Sequence, residues 1–66
     1  MKLRKIRIYQ GLTQDELRQL SGVALKTITN IEREKHLPKL ETLRKIAKAL
    51  SVELTDIDEF KQRIAA

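Results

Sequence analysis

The sequence predicts an all-α fold built from five short helices, and three observations predict it. Gly11, Gly22 and Pro38 cut the 66 residues into stretches of helical length. Within those stretches apolar residues recur three and four apart, as in Leu43, Ile46, Ala47 and Leu50. Runs of β-branched residues with period-two alternation, the mark of strands, are missing.

The first helix is expected over Lys2–Gln10, with Leu3 and Ile6 on one face. Gly11 follows, where a helix readily turns left-handed. Thr13-Gln14-Asp15-Glu16 then fits the capping box, in which the Thr13 hydroxyl and the Glu16 carboxylate each take a backbone N–H. Leu12 and Leu17 are placed for a hydrophobic staple, Leu17 and Leu20 form the expected buried stripe, and Gly22 is the stop. The third helix is expected from Leu25 to about Lys35, with Val23 and Ile28 as a second staple. The fourth follows Pro38. After a break at Ser51–Glu53 a fifth is expected, with Leu54, Ile57, Phe60 and Ile64 as its apolar positions.

A chain of this length typically buries only about 60% of its unfolded surface, so one domain over residues 1–66 is expected, without a deep cleft. No Cys is present, which excludes a disulfide scaffold and a thiolate metal site. The single His leaves no multi-histidine metal site, and Ser21, Ser51 and His36 suggest no base-and-orienter pair, so neither an enzyme nor a cofactor is expected. No apolar run reaches the roughly 18–20 residues of a membrane span and no signal peptide opens the chain, so a cytoplasmic location without membrane attachment is expected.

Charge is the first positive indication. Residues 1–50 carry 12 basic and 5 acidic side chains, whereas residues 51–66 carry 2 and 4. A basic body with an acidic end suits a polyanion on one side. The informative segment runs from about residue 13 to 34, two short helices joined at Gly22-Val23-Ala24. With the buried face of the second centred between Ile28 and Ile31, Lys26 and Arg33 point about 170° away, and Thr29 and Asn30 about 130° away. These four form one stripe of hydrogen-bond donors without an acid. Two readings fit it: a solvated face, or a surface for the major groove, where base edges present acceptors between flanking phosphates. Glu32 lies about 70° from the buried centre, on the inner flank, and needs a partner there. Arg7 is the candidate.

Gly11-Leu12-Thr13-Gln14-Asp15-Glu16-Leu17, Ser21-Gly22-Val23, Thr27-Ile28-Thr29-Asn30-Ile31-Glu32, Pro38 and Thr42–Val52, taken in order, resemble the Cro/repressor-type (XRE-like) helix-turn-helix family over about residues 3–60. The resemblance implies a compact five-helix bundle of the phage-repressor DNA-binding type, with the third helix in the major groove. It implies base contacts from Leu25, Lys26, Thr29 and Asn30. It assigns phosphate contact to Gln14 and Thr27, and brings the backbone to the loop from Lys35 to Lys39; Arg33, at the end of the stripe, is expected on the backbone too. Arg7 and Glu32 fall where the family commonly has a buried ion pair.

Four departures stand out. Arg18 occupies a position that is usually Ala, where the two helices touch closely, and must reach outward or loosen the crossing. Ala24 replaces a usual Ser or Thr cap. Glu34 replaces a frequent Gly, so the third helix is expected to run one turn further. Leu25 is apolar where many members carry a polar reader, and either meets a thymine methyl or packs at the helix start.

One such domain reads only about four or five base pairs, too few for a useful specificity ratio. The expected partners are therefore double-stranded DNA and a second copy of the chain, on a palindromic site, with no small-molecule ligand. The expected activity is sequence-specific repression of transcription. The segment of about 54–66, through Phe60 and Ile64, is the expected dimer contact. The alternative is a protein-interaction adaptor, coactivator-like or antitoxin-like, on the same fold.

Overall fold

The computed structural model describes residues 1–64. Its helices are α1 (Leu3–Tyr9), α2 (Gln14–Ser21), α3 (Leu25–Glu32), α4 (Leu40–Leu50) and α5 (Lys61–Ile64), with two 3₁₀ turns, Leu54–Asp56 and Asp58–Phe60, before the last. Among the described residues there is no strand, and no helix is long and apolar enough to cross a membrane.

One cluster of apolar side chains holds the helices together. Leu3 and Ile6 come from α1, Leu17 from α2, Ile28 and Ile31 from α3, and Leu43, Ile46, Ala47 and Leu50 from α4; Val23, Ile57 and Phe60 complete it. The α4 stripe is buried at every position that its three-and-four spacing selects. α2 packs against both α3 and α4.

The α2 start is as local chemistry dictates. Glu16 N–H donates to Thr13 Oγ1 at 3.0 Å, and Thr13 N–H donates to Glu16 Oε1 at 2.9 Å. Gly22, at φ 74°, ends α2 in the left-handed region and donates its N–H to the Arg18 carbonyl. Ser21 Oγ bridges the same corner: it donates to the Leu17 carbonyl at 2.7 Å and accepts Val23 N–H at 3.2 Å. This fixes the exit angle into α3.

Three expectations are corrected. Leu20 is 61% exposed rather than buried. The inward face of α2 is Gln14, Leu17 and Ser21, which lie within about 60° of one another on one side of Leu17, whereas Leu20 is displaced about 60° to the other. α3 does not run on past Glu32. Arg33 caps it and Glu34 takes the left-handed conformation at φ 56°, doing with a side chain what Gly does without strain. The fifth helix is shorter than expected, because Ile57 is extended at φ −101°, ψ 113° and separates the two 3₁₀ turns.

The acidic end closes onto α1. Lys2, the residue before α1, offers no side-chain cap. Instead the buried Glu59 reaches across the fold and accepts Leu3 N–H at 2.9 Å. Asp58 N–H donates to the Met1 carbonyl at 2.9 Å, and Gln10 Nε2 donates to the Leu50 carbonyl at 2.8 Å, joining the far end of α1 to α4.

Candidate nucleic-acid interface

α3 is held from beneath and bare above. Ile28 and Ile31 are fully buried, which turns the opposite face outward. On that face Lys26 and Arg33 are exposed and Thr29 and Asn30 half-buried. Leu25 is 41% exposed, so it leaves apolar surface at the start of α3 rather than sinking into the core. Thr27 is half-buried on the flank. Ala24 precedes α3 with no side-chain bond to it.

A hydrogen-bonded chain ties this face to α1. Arg7 Nε donates to Glu32 Oε2 at 2.8 Å and Arg7 Nη2 to Glu32 Oε1 at 3.1 Å, a two-pronged pair whose side chains are 10% and 4% exposed. Arg7 Nη1 donates to the Leu12 carbonyl at 2.8 Å, so the guanidinium also fixes the loop before α2. Glu32 Oε1 further accepts from Gln14 Nε2 at 3.1 Å, and Gln14 Oε1 accepts from Thr29 Oγ1 at 3.3 Å. Both ends of the Gln14 amide are thereby set. One of the two Nε2 hydrogens is used on Glu32.

On α2 itself, Asp15 takes up Arg18 and Gln19. Arg18 Nε donates to Asp15 Oδ1 at 2.8 Å and Gln19 Nε2 to Asp15 Oδ2 at 3.0 Å. The Arg18 bond holds the Asp15 carboxyl below the usual carboxylate range. Arg18 thus lies on the surface, clear of the crossing of α2 with α3. Beyond α3, Lys35 and Lys39 are exposed in the loop leading to α4. Lys2 Nζ holds Glu34 at 2.9 Å, and that hydrogen bond is the chief reason the Lys2 ammonium binds its proton more tightly than usual.

Phe60 is not available to a second copy. It is fully buried in the core cluster, at the end of the second 3₁₀ turn. Ile64 is 38% exposed. The contact that sequence reasoning missed is on the outward face itself: Asn30 Nδ2 lies 3.3 Å from His36 Nε2. The two are brought together by the left-handed turn at Glu34, and no periodicity signals such a turn.

Comparisons with known proteins give the family. The helix-turn-helix family model matches residues 3–57. An uncharacterized HTH-type transcriptional regulator of Methanocaldococcus jannaschii is 41% identical over 56 residues, 85% of either chain. Another from Archaeoglobus fulgidus is 34% identical over 56 residues, 85% of this chain and 80% of that one. The HTH-type transcriptional regulator PuuR of Escherichia coli is 36% identical over 55 residues, which are 83% of this chain and 30% of that longer protein. No solved structure matches the chain. The capped α2, the glycine corner, the α3 seated on it and these likenesses agree, and the chain belongs to the XRE-type helix-turn-helix family of DNA-binding transcriptional regulators.

Proposed function

We propose that the protein is a sequence-specific repressor in the cytoplasm, two copies of which occupy a palindromic operator through the major groove. The observation that carries this reading is the outward face of α3. Leu25, Lys26, Thr29, Asn30 and Arg33 share it without an acid among them, while the one acid of α3, Glu32, is turned inward onto Arg7 and Gln14. An eight-residue helix is about 12 Å long, enough to span a few base pairs. In this reading Lys26, Thr29 and Asn30 meet base edges and Leu25 meets a thymine methyl. Gln14, Thr27, Arg33, Lys35 and Lys39 meet the sugar-phosphate backbone.

The need for two copies follows from size. The molecule measures 30 × 20 × 19 Å and carries one such helix. Two half-sites one turn apart are about 34 Å from centre to centre. Residues 1–66 act as one domain in this proposal, and Ile64 contributes to the contact between copies.

Selection from random duplex DNA tests it. The expected product is a two-fold symmetric consensus. Asn30→Ala and Lys26→Ala should flatten the preference at individual positions, and Gln14→Ala should weaken all sequences alike. About 8–10 phosphate contacts per dimer give a log–log salt slope of roughly −7 to −9. No enriched sequence, together with no salt slope, would favour an adaptor on the same fold. For that second reading the supporting observation is the apolar surface of Ile8 and Tyr9 on α1, 50% and 87% exposed.

A further inference from the structure

We infer that His36 is a positioning residue for sequence readout: its ring fixes the orientation of the Asn30 amide and thereby favours adenine opposite Asn30. This inference rests on the proposal that Asn30 meets a base edge, and goes beyond it by naming the base and the residue that selects it.

Asn30 Nδ2 lies 3.3 Å from His36 Nε2, with Asn30 on the outward face of α3 and His36 exposed just past its end. An amide nitrogen only donates, so in this contact Nε2 accepts, as the ring tautomer with its proton on Nδ1 allows. The amide is then polarised in one sense. One Nδ2 hydrogen is spent on the ring, and the other lies beside the carbonyl oxygen Oδ1. That pair, one donor and one acceptor, is the pattern that adenine meets with N7 and N6–H₂. Without the ring, the amide of a surface Asn is free to turn over and present the reverse order, and adenine loses its advantage.

The groups that face His36 are Asn30 of α3, Glu34 of its own loop, Asp58 and Glu59 of the second 3₁₀ turn and Gln62 of α5. Each of the three carboxylates has a partner of its own: Lys2 for Glu34, the Met1 ammonium and Lys61 for Asp58, and Leu3 N–H for Glu59. Asn30 is left as the hydrogen-bonding neighbour of the ring.

The test measures binding of the full chain to a set of duplexes that differ only at the base pair whose preference Asn30→Ala abolishes. The variants are His36→Leu, which has no acceptor, and His36→Gln, whose amide oxygen restores one. His36→Leu should lower the preference for adenine at that pair about 3- to 10-fold, part of what a full two-bond contact supplies. Affinity for random duplex should change less than about 2-fold, and His36→Gln should recover the preference. Because His36 is exposed, melting curves of both variants should overlay the wild type. An adenine preference that survives His36→Leu overturns the inference and leaves base reading by Asn30 intact. Equal loss on every duplex overturns it too, since His36 then acts on the backbone. If Asn30→Ala alters no position, the reading of Asn30 and the inference fall together.

Discussion

Arg7 and Glu32 show how much a single pair of side chains decides here. Taking two charges out of water is expensive, so the pair itself adds little net stability. Removing one member is another matter, because the other stays buried and unpaired. Glu32→Ala should lower unfolding stability by about 3–5 kcal/mol, close to all that a core of this size supplies. Urea denaturation would then find the variant largely unfolded at room temperature, with Glu32→Gln intermediate. Glu34 poses the opposite case. A left-handed residue with a side chain is strained by about 1–2 kcal/mol, and glycine offsets part of the gain by loosening the unfolded chain. Glu34→Gly should therefore raise stability by up to about 1 kcal/mol, read as a higher urea midpoint at unchanged slope.

Among the elements, α2 and α3 form a contrast. α2 has both partners of its capping box and a glycine stop; α3 begins at Ala24 with no side-chain cap. Ala24 already has the extended backbone, φ −57° and ψ 142°, that a capping residue uses. Ala24→Ser should stabilise the protein by about 1 kcal/mol, with slower amide exchange in the first turn of α3 as the local signature. α2 also carries an acid-sensitive contact. The bond from Arg18 depresses the Asp15 carboxyl in the folded state. The stabilisation is thus complete above the ordinary carboxylate value of about 3.9 and is lost as pH falls through the folded value. Thermal melts of wild type and Asp15→Asn should differ slightly at pH 6 and converge once the pH has fallen through the depressed folded value. The difference stays small because both side chains are exposed.

For the whole molecule, Phe60 and Ile64 separate folding from assembly. Phe60→Ala empties a fully buried ring site at about 3–5 kcal/mol, comparable to the total, and circular dichroism should show the loss of the fold. Ile64→Asp should keep the helical signal and, if Ile64 joins two copies as proposed, shift sedimentation toward the monomer.

How much of this was legible depends on how local each cause is. The capping box of α2 and the stripe of α4 were readable because both lie within a few residues of sequence. The inward face of α3 and the Arg7–Glu32 contact followed from helical arithmetic. Phe60 and the last helix did not, since Leu54, Ile57 and Phe60 are spaced three apart, which suits a 3₁₀ turn as well as an α-helix. The end of α3 is not legible in the sequence, because a left-handed Glu34 leaves no trace in hydrophobic pattern. The Asn30–His36 contact depended on that same turn.

Glu59 gives the architecture an unexpected dependency. The first helix borrows its opening bond from a carboxylate 56 positions later, and that helix supplies the guanidinium on which Glu32 and Gln14 rest. During synthesis, then, the seat of α3 is not completed by the segment that carries it. It waits for a turn near the end of the chain to emerge, so a ribosome stalled short of Glu59 would leave α3 with a slack mooring.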